Sequence, residues 1–355
     1  MEGLRAYAAF AVFLVHYSGQ LAVILYSVKL DDVAGSFGEL DWPLNLLQYL
    51  HRSHYGVDLF FLLSGFLVYK IVTSAHVTFG HFFLNRIWRI YPVFVLTEAL
   101  YIARMYGETG VLWPGGIVGN LLLLNGIPGL YFPAYNFATW SLFFEFVSYA
   151  IIPAALWCLP TRWSSATRGR VVALAIVGAA VPLAIVVNDG YIRFIMFAAG
   201  IVLATVATAD LSRLARVVPD SVIAVLYVAC TTFFAASYDL LTFIPLYFLA
   251  ALLLVNQAVF GCGWLNALFS GNLIRYFGNM SFSFYLIHGL CMHIAFTAVP
   301  YDESTPVLQY VLVTFVASVV LSIFVATLLF VTVEKQYFYW KNARARKALQ
   351  PRLRN

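Results

Sequence analysis

The sequence predicts an all-α protein, a bundle of about ten helices threaded through a lipid bilayer with both termini on the cytoplasmic side. Three observations carry that expectation. Of 355 residues, 62% are hydrophobic and only 10% are charged, whereas a soluble domain carries about 25% charged residues. A water-soluble globule could not cover its surface with so few charges, and a disordered chain would be poor in apolar residues rather than rich in them. The apolar residues fall into ten runs, roughly 6–28, 55–75, 88–106, 136–158, 170–188, 190–208, 221–238, 240–258, 273–298 and 306–333, each near the ~20 residues that a span requires. Finally, the loops between these runs alternate in charge.

Taken in order, one set of loops carries Arg86 and Arg89, then Arg162, Arg168 and Arg170, then Arg213 and Arg216, then Arg275. The other set carries Asp31, Asp32, Glu39 and Asp41, then Glu108, Asp189, Asp239, and Asp302 with Glu303. Basic loops face the cytoplasm, so the alternation fits an even number of spans. The first run is too long for a signal-peptide core and contains His16, so it reads as a retained span. Residues 29–54 form an outer loop long enough to line a mouth, and the stretch 116–124, opened by Trp113 and Pro114, is too short to span and reads as re-entrant or interfacial. After the last run, Lys335 to Asn355 holds seven basic residues and no acid, and without it the chain has 14 basic against 16 acidic residues. Residues 1–335 therefore read as one transmembrane domain and 336–355 as a basic cytoplasmic tail. No nucleic-acid-binding fold accompanies the tail charge. The four cysteines lie in or near apolar runs without metal spacing.

A charge at the bilayer centre costs at least about 2.5–3.5 kcal/mol, so ionisable residues inside spans are the candidates for chemistry. Arg5 and His16 are eleven residues apart. At about 100° per residue they share one helix stripe, about 16 Å apart along the axis. Such a stripe suits a ligand held at one end and reacted at the other. Asp58 opens the second run, where it has His16 or Arg52 as candidate partners. Arg86 and Arg89, three apart, present two forked donors on one helix face, a pattern suited to phosphates and equally to anchoring at the cytoplasmic surface. Glu145 lies among aromatics with no basic residue in its own run, so it must be neutral or paired across helices. Ser281, Tyr285 and His288 follow i, i+4, i+7 spacing and form one polar stripe. His51, His54, His76 and His81 lie near interfaces and His293 on another face, and none is assigned a role. The sequence has no nucleophile elbow, phosphate loop, dinucleotide fingerprint or metal pattern. A transporter or flippase of a polar solute would use the same intramembrane residue types, although no match between halves of the chain supports inverted repeats.

Several of these elements occur as recognisable runs. Glu2-Gly3-Leu4-Arg5-Ala6 through His16, Gly56-Val57-Asp58-Leu59-Phe60-Phe61-Leu62-Leu63-Ser64-Gly65-Phe66, Arg86 to Pro92, Trp140-Ser141-Leu142 with Glu145, Gly278 to His288, and Glu334-Lys335 stand in this order. The chain resembles the membrane acyltransferase-3 family over its whole length, most specifically in residues 56–66. It departs from the family pattern at Phe146, Phe282 and Gln336.

The resemblance implies an integral membrane acyltransferase of the bacterial cytoplasmic membrane. The donor would be acyl-CoA, most commonly acetyl-CoA, used as a co-substrate with no permanently bound cofactor or metal. The acceptor would be a hydroxyl of a carbohydrate or glycoside, and the product an O-acyl ester. It also implies roles. Neutral His16 would act as general base, Glu145 or Asp58 would orient it, and Arg5, Arg86 and Arg89 would hold the CoA phosphates. Ser64, Trp140, Ser281, Tyr285 and His288 would line the cavity. A covalent acyl-enzyme on His16 or Ser64 is the other route. No esterase-like domain is expected after the tenth span.

Overall fold

The computed structural model describes residues 1–33, 38–74, 78–237 and 239–336, so His76 and the basic tail beyond Gln336 lie outside the described residues. All the described regular structure is helical. The chain runs through α1 (Glu2–Tyr26), α2 (Trp42–His51), α3 (Tyr55–Ser74), α4 (Phe79–Thr109), α5 (Pro114–Leu121), α6 (Trp140–Cys158), α7 (Ser165–Val186) and α8 (Phe194–Thr205). It continues through α9 (Thr208–Val217), α10 (Asp220–Ser237), α11 (Leu240–Phe260), α12 (Trp264–Ser270), α13 (Asn272–Asn279), α14 (Ser281–Ala298) and α15 (Val307–Leu329). A π-helical turn, Phe330–Glu334, extends α15.

Each of the ten apolar runs is helical, with differences that have local causes. Among the described residues, seven helices are long and apolar enough to cross a membrane, or eight if α8 and α9 are counted as one span bent by 102°. The α4 helix is 31 residues long, but Arg86, Arg89, Glu98 and Arg104 interrupt its apolar character. The apolar part of α10, Asp220–Phe234, is shorter than a full span. The run 273–298 is not one helix. It breaks at Met280, where α13 ends and α14 begins. The re-entrant candidate is the short α5, followed by a 3-10 turn, Leu124–Gly126, that opens on Leu123 in the left-handed region at φ +61°. Left-handed backbone is strained for a bulky residue.

The bundle is centred on α1, α3 and α14. The α3 helix packs against α8, α1 and α6, while α14 packs against α15 and α1. Burial follows this order, with 72% of the apolar window of α14 inside the protein against 22% for α15. Small residues permit the closest approaches. A Cβ at Gly65 would strike the carbonyl of Phe197, and one at Gly200 would strike the carbonyl of Leu62, so α3 and α8 meet through two reciprocal glycines. Gly56 likewise meets the carbonyl of Ala8 on α1. The 56–66 run thus has an evident packing role, seating α3 between α1 and α8.

A 3-10 turn, Phe137–Thr139, leads into α6. Asn136 caps it, accepting from the Ala138 N–H at 3.1 Å and donating to the Leu286 carbonyl on α14 at 2.9 Å. That tie fixes the start of α6 against the polar stripe of α14.

Candidate functional site

Two groups of the predicted residues come together, at two levels of the bundle. The first is a cleft of about 770 Å³, counted out to its open mouth, lined by Arg5, Ser64, Arg86, Arg89, Ser141, Glu145, Tyr149 and Tyr285 among apolar neighbours from α3, α4 and α6. Four helices and α14 each contribute a polar group to it. Glu145 is held from both sides, by the Ser64 hydroxyl at 3.0 Å and the Tyr149 hydroxyl at 2.8 Å. Arginines line the same cleft, and hydrogen bonds to a carboxylate are among the stronger ones. The Arg86 guanidinium lies 5.3 Å from the centres of both the Phe82 and Tyr149 rings, within cation–π range. The cleft thus gathers three guanidinium groups around Glu145, with a second carboxylate, Glu334, beside Arg5 and Arg89.

One arm of this arrangement was not singled out as part of the cleft by the sequence. The buried Glu334 carboxylate accepts from the Ser283 hydroxyl at 2.9 Å. Arg89 and Arg5 are its charged neighbours. The π turn Phe330–Glu334 carries it inward, consistent with the frequent placement of π turns at functional sites.

The second group surrounds His16. Its ring centre is 4.3 Å from that of Phe137 and 5.2 Å from that of His288. His288 is fully buried, and its Nδ1–H donates to the Tyr285 carbonyl at 2.8 Å. That bond fixes the tautomer and leaves the Nε2 lone pair without a partner in the structure. The continuous α1 confirms that Arg5 and His16 lie on one regular helix.

Tyr285 separates the two levels. It lines the cleft, its hydroxyl donates to the Ala138 carbonyl at 2.6 Å, and it lies 2.8 Å from the Ser141 hydroxyl. Since the tyrosine proton is engaged, Ser141 is the donor of the second bond. One turn further along α14, the His288 ring is 6.2 Å from the Tyr285 ring.

Several expected placements differ. Neither carboxylate named as an orienting group bonds to His16, because Glu145 is engaged by Ser64 and Tyr149 in the cleft and Asp58 pairs with Arg193. Asp58 is fully buried, and its partner also lies 5.3 Å from the Trp140 ring centre. Arg193 lies inside the run 190–208, an ionisable residue within an apolar stretch to which the sequence reading assigned no role. Of the expected lining residues, Ser64 and Tyr285 face the cleft, whereas Trp140, Ser281 and His288 are not among its walls. Trp140 packs on Phe61, Phe144 and Arg193, and the Ser281 hydroxyl is buried without a partner.

A second intramembrane carboxylate was also missed. Glu98, midway along α4, is fully buried and neither carboxylate oxygen has a hydrogen-bond partner. The signal that drew attention to Glu145, an acid within an apolar helix, applies equally to it.

Comparison with known proteins agrees with this architecture. The model of a family described as an acyltransferase domain matches residues 1–331. The chain is 28% identical over 259 residues to the exopolysaccharide production protein ExoZ of Rhizobium meliloti (strain 1021), an alignment covering 67% of this chain and 76% of that relative. No solved structure matches the chain. With the family match extending over nearly all of the helical bundle, the chain belongs to the acyltransferase-3 family of membrane acyltransferases.

Proposed function

We propose that this protein transfers an acyl group, most commonly acetyl, from acyl-CoA to a hydroxyl of a polysaccharide or its glycan precursor. The observation that carries the reading is the division of the site into a cleft lined by three arginines and a histidine pair one level deeper. CoA bears its phosphates at one end and its thioester at the end of a long uncharged arm. Phosphates held by Arg5, Arg86 and Arg89 would let that arm pass Tyr285 toward His16. By the positive-inside rule, Arg86 and Arg89, in the first turns of α4, favour for this mouth the cytoplasmic side, where the donor is made. The carbohydrate class of acceptor is suggested by the printed name of the similar protein from Rhizobium meliloti.

The chemistry follows from the neutral imidazole. His16 accepts the proton of the acceptor hydroxyl as its oxygen attacks the thioester carbonyl, the carbon–sulfur bond breaks, and the departing thiolate takes a proton back from His16. No proton is gained or lost overall. His288 is the neighbour placed to steady the His16 ring, since no carboxylate bonds to it. Glu145 fixes the cleft rather than the base.

The test is acyl transfer in membrane vesicles supplied with radiolabelled acetyl-CoA and alkali-deacylated exopolysaccharide from the organism that carries the gene. The unaltered protein should form an alkali-labile acetyl ester. His16→Ala, at equal protein level, should lose at least about 100-fold in rate, as expected for a general base. Full activity in that variant would remove His16 from the chemistry.

A further inference from the structure

We propose that Glu98, Tyr101 and Asn125 form the hydroxyl-binding subsite for the acceptor, beside the histidine pair; the inference rests on the reading of the protein as a transferase to a sugar hydroxyl. Its basis is a concentration of buried polar atoms that the fold leaves without partners. Both carboxylate oxygens of Glu98, the hydroxyl of Tyr101 and the side-chain oxygen of Asn125 lack hydrogen bonds, although almost no water-accessible surface is left to them. Buried polar groups are nearly always satisfied, and each orphan costs about 1–3 kcal/mol. One orphan is unexceptional, but four on two neighbouring segments, α4 and the turn Leu124–Gly126, mark a place suited to a polar occupant.

These atoms converge on the 3-10 turn Phe137–Thr139. Thr139 is the polar side chain facing Glu98. Its single proton is shared with the Asn136 carbonyl at 2.7 Å, and its oxygen already accepts from the Asn125 amide at 2.8 Å. Thr139 therefore leaves the two Glu98 carboxyl oxygens short of donors. Tyr101, one helical turn along α4, reaches the same turn from the other side. A Cβ at Gly289 would lie 2.6 Å from the Phe137 ring and 2.7 Å from the Tyr101 hydroxyl, so the absence of a side chain there makes room for both. Phe137 in turn lies against His16, and its own ring is 42% exposed. A solute reaching His16 from that surface would pass Phe137 and meet these orphaned atoms.

The inventory fits a polyol. A sugar hydroxyl is both donor and acceptor, so vicinal hydroxyls can donate to the Glu98 carboxylate and to the Asn125 oxygen while one accepts from Tyr101. A carboxylate that bonds a sugar hydroxyl is a charge-assisted contact, stronger than a neutral one. The guanidinium groups of Arg5, Arg86 and Arg89 line the other level, so donor and acceptor would approach the histidine pair from different sides.

The experiment is steady-state transfer by the full-length protein in vesicles, with acetyl-CoA and alkali-deacylated exopolysaccharide oligosaccharides as the two varied substrates. Glu98→Gln should raise the oligosaccharide KM by about 10- to 100-fold, the span expected for losing a charged hydrogen bond, with the acetyl-CoA KM unchanged. Tyr101→Phe, which removes only a hydroxyl and opens no cavity, should raise the same KM several-fold and decides the matter if the Glu98 variant does not fold. An unchanged oligosaccharide KM in folded Glu98→Gln overturns the subsite and leaves the transferase reading intact. A parallel rise in both KM values overturns it too, because it marks Glu98 as structural. Absence of transfer by the unaltered protein overturns the sugar acceptor and the subsite together.

Discussion

The Asp58–Arg193 pair allows the structure to separate packing from chemistry at a residue the sequence placed near catalysis. Asp58 is fully buried and Arg193 is 8% exposed. They bond between α3 and the turn that precedes α8, seven residues before the reciprocal glycines Gly65 and Gly200 that let these helices touch. Removing one member of a buried pair leaves the other charge uncompensated, which costs about 3–5 kcal/mol. Asp58→Leu should therefore destabilise by that amount. Asp58→Asn keeps one acceptor oxygen, and a hydrogen bond to a charged group recovers about 1.5 kcal/mol, so the loss should fall to about 2–3 kcal/mol. The Arg193 guanidinium would still lie over Trp140, and exchanging both partners for apolar residues is often nearly neutral. The double variant Asp58→Leu with Arg193→Met should accordingly return to within about 1 kcal/mol of the unaltered protein. Denaturant titration of the purified protein in detergent, together with transfer activity per folded molecule, measures both quantities. A double variant as unstable as Asp58→Leu refutes the packing argument. A stable double variant without activity places Asp58 in the chemistry after all.

Two further outcomes test other parts of the site. Arg86→Ala with Arg89→Ala should raise the acyl-CoA KM by about tenfold or more, because charged hydrogen bonds to phosphate are worth about 1.5–3 kcal/mol each; an unchanged KM returns both residues to membrane anchoring. At the end of α2, His51 Nε2 lies 3.1 Å from Asp31 on the loop before that helix while Nδ1 donates to the Val15 carbonyl, and the hydrogen bond from His51 holds the Asp31 carboxyl below its ordinary value of 3.8. A depressed carboxyl stabilises the fold fully above its unfolded value and loses that contribution as pH falls through the lowered one. Asp31 is 70% exposed, so the contribution is under about 1 kcal/mol. Melting curves between pH 5 and 3 should show a small acid loss that Asp31→Asn removes, and an identical acid limb in that variant would dismiss the contact.

Much of the fold was legible because bilayer-embedded helices announce themselves by length and apolarity. The interruptions were not. The break at Met280 and the 102° bend between α8 and α9 depend on tertiary fit: the backbone at Gly278 meets the carbonyl of Glu2 so closely that no side chain could replace its hydrogen. Hydropathy reads 273–298 as one run, and ends the run 190–208 where the polar α9, with Asp210, Arg213 and Arg216, begins. The pairing of Asp58 was beyond sequence for another reason, because its partner lies 135 residues away. Glu98 is a different case, since its type and position were visible and only its orphaned state needed coordinates.

The separation between levels was legible from a single helix, and it explains why the carboxylates are where they are. A carboxylate bonded to His16 would favour imidazolium, a poor base. The structure instead gives His16 one aromatic neighbour, Phe137, and a second imidazole whose own proton is committed to a carbonyl. Glu145, eliminated from that role, sits where a negative charge is useful: among arginines, whose mutual repulsion would otherwise spread them before any anion arrives. On the proposed function, Glu145 and Asp58 serve the cations of the bundle, and His16 is left without a carboxylate partner. That proposal requires Glu145→Gln to disturb donor binding while leaving the pH dependence of the chemical step in place, because the proposed base lies one level away.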